Sequence, residues 1–243
     1  MQIIRRLLDS IYPPVCEHCG DSFFSSTTSY LCDPCKAEVL LPIKLPYCEV
    51  CGQSYTGKMP QAVQCSNCRG RDIQFDFAIA AYHAEGEVMD WMHRFKYGKE
   101  IHLCRMFGDM MIDVWQDRRL DREDDWIVVP VPLHKKRLRE RGFNQSCEIA
   151  RHWINRAPSG KNLKLMNLLT RQRHTDRQAM LDRKERLTNL KDAFKVDRII
   201  PPDQNLLLVD DVLTTGTTTA ECADVLVSSL HPRKICVVSV LRG

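Results

Sequence analysis

Hydrophobic and polar positions alternate regularly from about residue 75 to residue 243. Short apolar runs of the kind found in buried parallel strands occupy residues 77–82, 126–131, 205–209 and 235–241. A further strand is expected near residues 165–169. Between the runs, apolar residues recur at helical spacing in residues 87–94, 101–116, 144–155 and 217–230. This alternation predicts an α/β domain of about 170 residues, with a parallel sheet covered on both faces.

The first 72 residues lack this alternation and hold most of the cysteines. Eight of the twelve cysteines lie before residue 69. They form four Cys-x-x-Cys pairs: Cys16 and Cys19, Cys32 and Cys35, Cys48 and Cys51, and Cys65 and Cys68. A two-residue gap lets both thiolates of a tight turn bind one ion, and two such turns complete a tetrahedral zinc site.

The spacing of the pairs predicts two structural zinc sites. Twelve residues separate the first pair from the second, and 13 separate the third from the fourth, which suits two short hairpins. We therefore expect sequential pairing, with an interleaved cross-brace as the alternative. Each site would have four cysteine ligands and no open position, so catalysis at zinc is not expected. The chain would thus divide into an amino-terminal helix with a double zinc ribbon, residues 1–72, and an α/β domain, residues 73–243.

Residues 1–11 are expected to form a short amphipathic helix. Their apolar positions follow helical spacing, and Arg5 and Arg6 interrupt the continuous apolar core that a signal peptide requires. No run approaches the roughly 18 consecutive apolar residues of a membrane span. We therefore expect a cytoplasmic protein without a transmembrane segment, in which clustered thiols bind metal rather than form disulfides.

Residues 206–219, LLLVDDVLTTGTTT, carry the most chemical information. Asp210 and Asp211 end an apolar strand, and residues 214–218, which we name the threonine loop, precede a helix. Ligands of open α/β sheets bind at this carboxyl edge. The hydroxyl and N–H groups of the threonine loop would lie at the positive end of the helix dipole and bind an anion. The carboxylates can accept hydrogen bonds from sugar hydroxyls or approach a hydrated Mg²⁺.

These residues resemble a known signature. Four aliphatic residues, Asp-Asp, two residues and Thr-Thr-Gly-Thr-Thr are similar to the motif by which type I phosphoribosyltransferases bind 5-phosphoribosyl 1-pyrophosphate (PRPP). Residues 141–146 (RGFNQS), residues 175–178 (TDRQ) and the cysteine pairs extend the resemblance to the ComF family, also called GntX-like, over nearly the whole chain. That family couples a double zinc ribbon to a phosphoribosyltransferase-like domain, and some members serve DNA uptake in natural transformation.

The resemblance implies a role for each matching residue. Asp210 and Asp211 would hold the ribose hydroxyls of PRPP, with Mg²⁺ as the accompanying ion. The 5-phosphate would lie in the threonine loop, against Thr214, Thr215, Gly216, Thr217 and Thr218. Candidates for pyrophosphate contacts follow residues 129–132 and are Lys135, Arg137 and Arg141. Residues 171–190 resemble the mobile loop that closes over the substrate; its candidates for direct contact, grouped with the aspartates as catalytic residues, are Gln178 and Arg183.

The charge is distributed unevenly behind a formal net charge of +4. Residues 134–198 hold 18 lysines and arginines against seven acidic residues, a surplus of +11, which leaves −7 for the rest of the chain. This segment is either a solvated, loop-rich face or a binding surface for polyanions, including PRPP and single-stranded nucleic acid. A smaller basic stretch at residues 93–102 is expected to be a solvated helix face.

These patterns favour a PRPP-binding protein of the ComF family that assists uptake or handling of single-stranded DNA, with competence-machinery proteins as partners. Two alternatives remain: a true phosphoribosyltransferase acting on an unidentified small base, and a non-catalytic adaptor regulated by PRPP. Turnover is less well supported than binding because no base-binding hood is identified. The sequence ends two residues after its last predicted strand, so a hood would come from residues 82–125 or from the zinc ribbons.

Overall fold

The computed structural model describes residues 14–23, 30–55, 65–121, 125–173 and 193–243. The helix expected over residues 1–11 lies outside these ranges, as do Gln178 and Arg183. No helix among the described residues is both long enough and apolar enough to cross a membrane.

The elements follow one another in the alternating order that the hydrophobic pattern predicts. The strands are β1 (Phe77–His83), β2 (Asp125–Pro130), β3 (Asn162–Leu165), β4 (Leu169–Arg171), β5 (Phe194–Val196), β6 (Asn205–Leu213) and β7 (Lys234–Arg242). The α-helices are α1 (Asp33–Val39), α2 (Glu87–Tyr97), α3 (Leu103–Met110), α4 (Arg118–Asp121), α5 (Lys135–Arg141), α6 (Gln145–Ile154) and α7 (Thr217–Leu230). A 3₁₀ helix, Met111–Gln116, directly follows α3.

Five strands form one parallel sheet in the order β1-β7-β6-β2-β3. The inner strands β6 and β7 consist mainly of buried aliphatic residues, as expected for strands covered on both faces. Helices α2, α3 and α6 pack on one face, where Trp115 and Trp153 stack with ring centroids 4.7 Å apart. Helix α7 and the antiparallel pair β4–β5 cover the other face. The predicted parallel α/β fold is confirmed.

Three elements differ from their predicted bounds. The strand expected near residues 165–169 is two strands, because β3 pairs with β2 in the main sheet whereas β4 pairs with β5. The helix expected over residues 101–116 tightens into the 3₁₀ helix, which places Met111 and Val114, three residues apart, on one buried side. Strand β6 runs four residues further than expected because it stays paired with β7 as far as Leu213 and Arg242.

The cysteine-rich region packs against the sheet and covers the edge formed by β1. Cys16, Leu31, Cys35 and Leu40 are buried in the same core as α2 and α3. The edge strand β1 is bonded from outside: the Ile43 N–H donates to the Ala81 carbonyl at 3.1 Å, and the Ala78 N–H donates to the Val50 carbonyl at 2.7 Å. An uncovered edge strand would expose unpaired N–H and carbonyl groups, so these contacts protect the β1 edge from pairing with other chains.

Candidate functional site

The eight clustered cysteines form two compact groups of thiols. The first zinc site is Cys16, Cys19, Cys32 and Cys35; the second zinc site is Cys48, Cys51, Cys65 and Cys68. All ligand atoms within a group lie within 4.8 Å of one another, and sulfur atoms of different pairs approach to 3.5–4.0 Å. Tetrahedral zinc with Zn–S bonds near 2.3 Å needs sulfur atoms about 3.8 Å apart. The structure therefore brings the pairs together sequentially as two structural zinc sites.

The proton chemistry of the thiols also fits a divalent cation. Burial raises the pKa of Cys16, but backbone hydrogen bonds, led by that of Cys32, lower it further, to about 6. In the second site burial likewise raises the pKa of Cys51, and hydrogen bonds led by that of Asn67 bring it to about 7. Burial and the neighbouring Cys51 raise the pKa of Cys68. Thus one thiolate forms easily in each group, and a bound cation would favour ionisation of Cys68 beside that of Cys51.

A cavity of about 900 Å³ opens where β2 and β6 end. This is the carboxyl edge at which parallel α/β sheets bind ligands. Its wall contains Asp210, Asp211 and the whole threonine loop, in agreement with the expected site. Met89, His93, Lys96 and Tyr97 of α2 also line the cavity.

The two aspartates lie inside β6 and have different partners. Asp211 is 9% exposed, and its Oδ1 accepts a hydrogen bond from Lys96 Nζ at 2.8 Å. Asp210 Oδ1 accepts from Ser146 Oγ at 3.2 Å and from the Asp211 backbone N–H at 2.9 Å. Burial, followed by the charge of Asp211, raises the pKa of Asp210 to about 7. At neutral pH the pair therefore carries less than two negative charges when no cation other than Lys96 is near.

The motif at residues 141–146 connects β2, α5 and α6 to this carboxylate. Asn144 caps α6, and its Nδ2 donates to the Val131 carbonyl at 3.0 Å, just after β2. Ser146, in the first turn of α6, then reaches Asp210. Arg141 donates to Gln145 Oε1 at 2.8 Å. The motif thus fixes the first turn of α6 beside the acidic pair.

The expected basic residues after β2 lie on a helix, and only two of the three line the cavity. His134 caps α5 by accepting from the Lys136 N–H at 3.2 Å. Arg137 and Arg141 are four residues apart, share one face of α5 and line the cavity. Lys135 is exposed and lies outside the cavity wall because, two residues before Arg137, it points to another side of the helix.

Arg171, Lys96 and Tyr97 line the cavity but were not among the expected site residues. Arg171, on β4, lines the cavity near Arg137; burial and that neighbouring charge lower its pKa. A bound anion would offset this crowding of positive charge. Lys96 and the aromatic Tyr97 belong to the stretch that we expected to be a solvated helix face. That expectation is wrong for Lys96, whose partner lies 115 residues away in the sequence.

The threonine loop has an ordered turn before α7. Gly216 adopts a left-handed conformation with φ of 69°, which residues with a side chain rarely adopt, and it caps α7. Thr215 Oγ1 lies 2.9 Å from Thr217 Oγ1, and Thr219 Oγ1 donates to the Gly216 carbonyl at 3.0 Å. The loop therefore presents hydroxyl groups and helix-terminal N–H groups to the cavity.

Comparison with known proteins gives a consistent assignment for both parts of the chain. Residues 7–69 match the model of the family described as Double zinc ribbon domain. Competence protein F of Haemophilus influenzae is 28% identical over 215 residues, which cover 87% of this chain and 90% of that protein. Competence protein ComFC of Bacillus subtilis is 24% identical over 226 residues, 86% of each chain. DNA utilization protein YhgH of Escherichia coli O157:H7 is 35% identical over 142 residues, 56% of this chain and 59% of that one.

The raised pKa of Asp210 predicts a pH-dependent effect on stability. Between about pH 4 and pH 7 the folded protein binds a proton at Asp210 that the unfolded chain releases, so stability falls as the pH rises through this range. Asp210→Asn removes this loss. We expect the variant to melt several degrees above the unaltered protein at pH 8, with the difference shrinking toward pH 4.

Asp211→Asn is the matched comparison, measured by thermal melts across the same pH series. It removes the partner of Lys96, so it should lower rather than raise the melting temperature at pH 8. Equal effects of the two substitutions would contradict the assigned environments.

Proposed function

We propose that this chain, which belongs to the ComF family, binds PRPP with Mg²⁺ in the central cavity and assists the handling of single-stranded DNA in natural transformation. Relatives across most of its length are named for competence and for DNA utilization. The observation that carries the ligand assignment is the convergence of an acidic pair, the threonine loop and basic side chains on one cavity.

The cavity offers a separate partner for each part of PRPP. The 5-phosphate is assigned to the threonine loop, where the N terminus of the 14-residue helix α7 favours an anion. The ribose hydroxyls are assigned to Asp210 and Asp211, because ionised carboxylates accept hydrogen bonds from hydroxyl groups. The pyrophosphate is assigned to Arg137, Arg141 and Arg171, whose planar guanidinium groups bind phosphate oxygens in pairs. Each chemical group of the ligand thus has a complementary part of the wall.

Mg²⁺ fits this arrangement as a companion of the ligand. It keeps several of its own waters and is bound through one or two carboxylates together with phosphate oxygens of the substrate. In the structure Lys96 supplies the positive charge nearest to Asp211. A hydrated Mg²⁺ brought by the pyrophosphate would add a second cation and favour the ionised form of Asp210.

DNA handling is assigned to the outward side of α5. The helix sequence is KKRLRER, with five basic residues and one acidic residue, and none of its side chains is buried. Arg137 and Arg141 turn toward the cavity, which leaves Lys135, Lys136 and Arg139 exposed to solvent. Such side chains bind the phosphate backbone without reading sequence, and their contribution weakens as salt rises.

Calorimetry with PRPP and MgCl₂ tests the ligand. The double substitution Asp210→Asn and Asp211→Asn should abolish detectable binding, because neutral amides bind ribose hydroxyls and Mg²⁺ far less well than carboxylates. Binding by the unaltered protein should strengthen from pH 6 to pH 8, as Asp210 ionises through a pKa of about 7.

Asp224→Asn is the control for this experiment, since Asp224 is an exposed acidic residue on the solvent side of α7. It should leave PRPP affinity unchanged. Retained binding in the double variant, with an intact fold, would refute the assignment of the acidic pair.

Fluorescence anisotropy with a labelled oligothymidylate tests DNA handling. Lys136→Ala combined with Arg139→Ala should weaken binding and reduce the slope of log affinity against log salt by about 0.7 for each phosphate group that the protein no longer neutralises. Lys44→Ala is the control for losing one positive charge elsewhere, because Lys44 is an exposed lysine on the cysteine-rich region. No measurable binding by the unaltered protein at low salt would rule out direct DNA contact.

A further inference from the structure

The carbonyl groups at the start of the threonine loop are held by two arginines from outside it. Arg242 Nη1 donates to the Leu213 carbonyl at 2.7 Å and also to the Thr214 carbonyl. Arg71 Nη1 donates to the next carbonyl, that of Thr215, at 2.5 Å. Three consecutive carbonyl oxygens are therefore fixed on one side of the chain by charged donors.

The second of these arginines belongs to the region around the second zinc site. Asn67 lies between the ligands Cys65 and Cys68, and its Nδ2 also donates to the Thr215 carbonyl, at 3.3 Å. Arg71 follows three residues after Cys68 and donates to the Asn67 carbonyl at 3.3 Å. The segment 67–71 thus links two zinc ligands to the threonine loop.

Arg242 makes a second connection between the same two places. It is 2% exposed, and its Nη2 lies 3.9 Å from the sulfur of Cys51, a ligand of the second zinc site. The other terminal guanidinium nitrogen holds the threonine loop and the carbonyl of Gly243. One buried side chain therefore touches both a zinc ligand and the loop.

Because the peptide group is planar, these contacts also determine which way the N–H groups of the threonine loop point. In a planar trans peptide the carbonyl oxygen and the following N–H point in opposite directions. Fixing the carbonyls of Leu213, Thr214 and Thr215 therefore turns the N–H groups of Thr214, Thr215 and Gly216 away from the arginines. Successive N–H groups on one side of a turn form a concave anion site, and the left-handed Gly216 completes such a turn.

The first zinc site has different neighbours. His18 Nδ1 contacts Glu87 Oε2 at 2.5 Å, and Glu17 Oε2 accepts from Arg94 Nη2 at 3.2 Å, so this site is attached to α2. The threonine loop carbonyls are instead contacted by the second ribbon and by Arg242. The two zinc sites are thus placed to act on different walls of the cavity.

We infer that the second zinc site positions the threonine loop for phosphate binding, through Arg71, Asn67 and Arg242. Arg71 and Asn67 are positioning residues: they hold the loop carbonyl and leave the ligand to the amides on the other side. The identity of the anion rests on the proposed function, whereas the contact between ribbon and loop does not. The inference therefore needs one measurement without ligand and one with it.

Hydrogen–deuterium exchange of the full-length, zinc-loaded protein is the measurement without ligand. Arg71→Ala should speed exchange of the amides in residues 214–216 roughly tenfold, as expected for losing one charged hydrogen bond. Arg69→Ala is the matched control, because Arg69 is an exposed arginine two residues away on the same segment. Arg71→Lys, which keeps one charged donor, should restore part of the protection. Equal exchange in Arg71→Ala and Arg69→Ala would overturn the inference.

Calorimetry with ribose 5-phosphate and, separately, with inorganic pyrophosphate is the measurement with ligand. Arg71→Ala should weaken ribose 5-phosphate binding roughly tenfold and leave pyrophosphate binding unchanged, since only the first ligand occupies the threonine loop. Equal loss for both ligands, or for neither, would overturn the positioning role. If the unaltered protein binds neither ligand, the proposed function fails, and the exchange experiment alone decides the contact between ribbon and loop.

Zinc analysis of each variant separates positioning from loss of the metal. Arg71→Ala and Arg69→Ala should both retain two zinc ions per chain, because neither residue is a ligand. Cys68→Ser should lose one zinc ion and reproduce the faster exchange of residues 214–216. Cys19→Ser, at the first zinc site, should also lose one ion while leaving those amides protected. Equal exchange at the threonine loop in the two cysteine variants would contradict the separate roles of the sites.

Discussion

The cavity is organised around two adjacent carboxylates, those of Asp210 and Asp211, near the carboxyl end of the buried strand β6. Burial and the adjacent charge of Asp211 favour the protonated form of Asp210, so its ionised form needs a nearby cation or hydrogen-bond donors. Lys96 supplies a positive charge from α2 by donating to Asp211, and Ser146 supplies a hydrogen bond from α6 by donating to Asp210. Both helices are thereby fixed to the same strand end, and their side chains build the walls on either side of it.

The zinc ribbons contribute to the α/β part of the molecule in more than one way. They supply backbone partners for the outer edge of β1, and the first of them adds buried residues to the core under α2 and α3. The second reaches the threonine loop through Arg71. A small cysteine-rich region cannot bury a large core by itself, so metal binding supplies much of its folding free energy. A ribbon folded around its metal can then hold the threonine loop in place through Arg71.

Features that depend on residues close together in the sequence could be predicted from it. Site residues whose partners lie far away in the sequence could not. The Cys-x-x-Cys pairs, the β6 strand and the threonine loop are local patterns, and each appears in the structure. Lys96 and Arg71 lie 115 and 144 residues from their partners, so no local pattern could mark them as site residues. The motif at residues 141–146 is recognisable in the sequence by resemblance alone; its physical basis, a capped helix that reaches Asp210, needs the tertiary structure.

On the proposed function, helix α5 would link the two ligands because its seven residues face both. Arg137 and Arg141 line the cavity, while Lys136 and Arg139 face solvent within one or two turns of them. Both ligands are polyanions, so electrostatics alone makes each one weaken the other, through a positive potential that they share. Mutual strengthening would require PRPP to order α5 or the threonine loop in a form that DNA also prefers, and linkage makes any such effect equal in both directions.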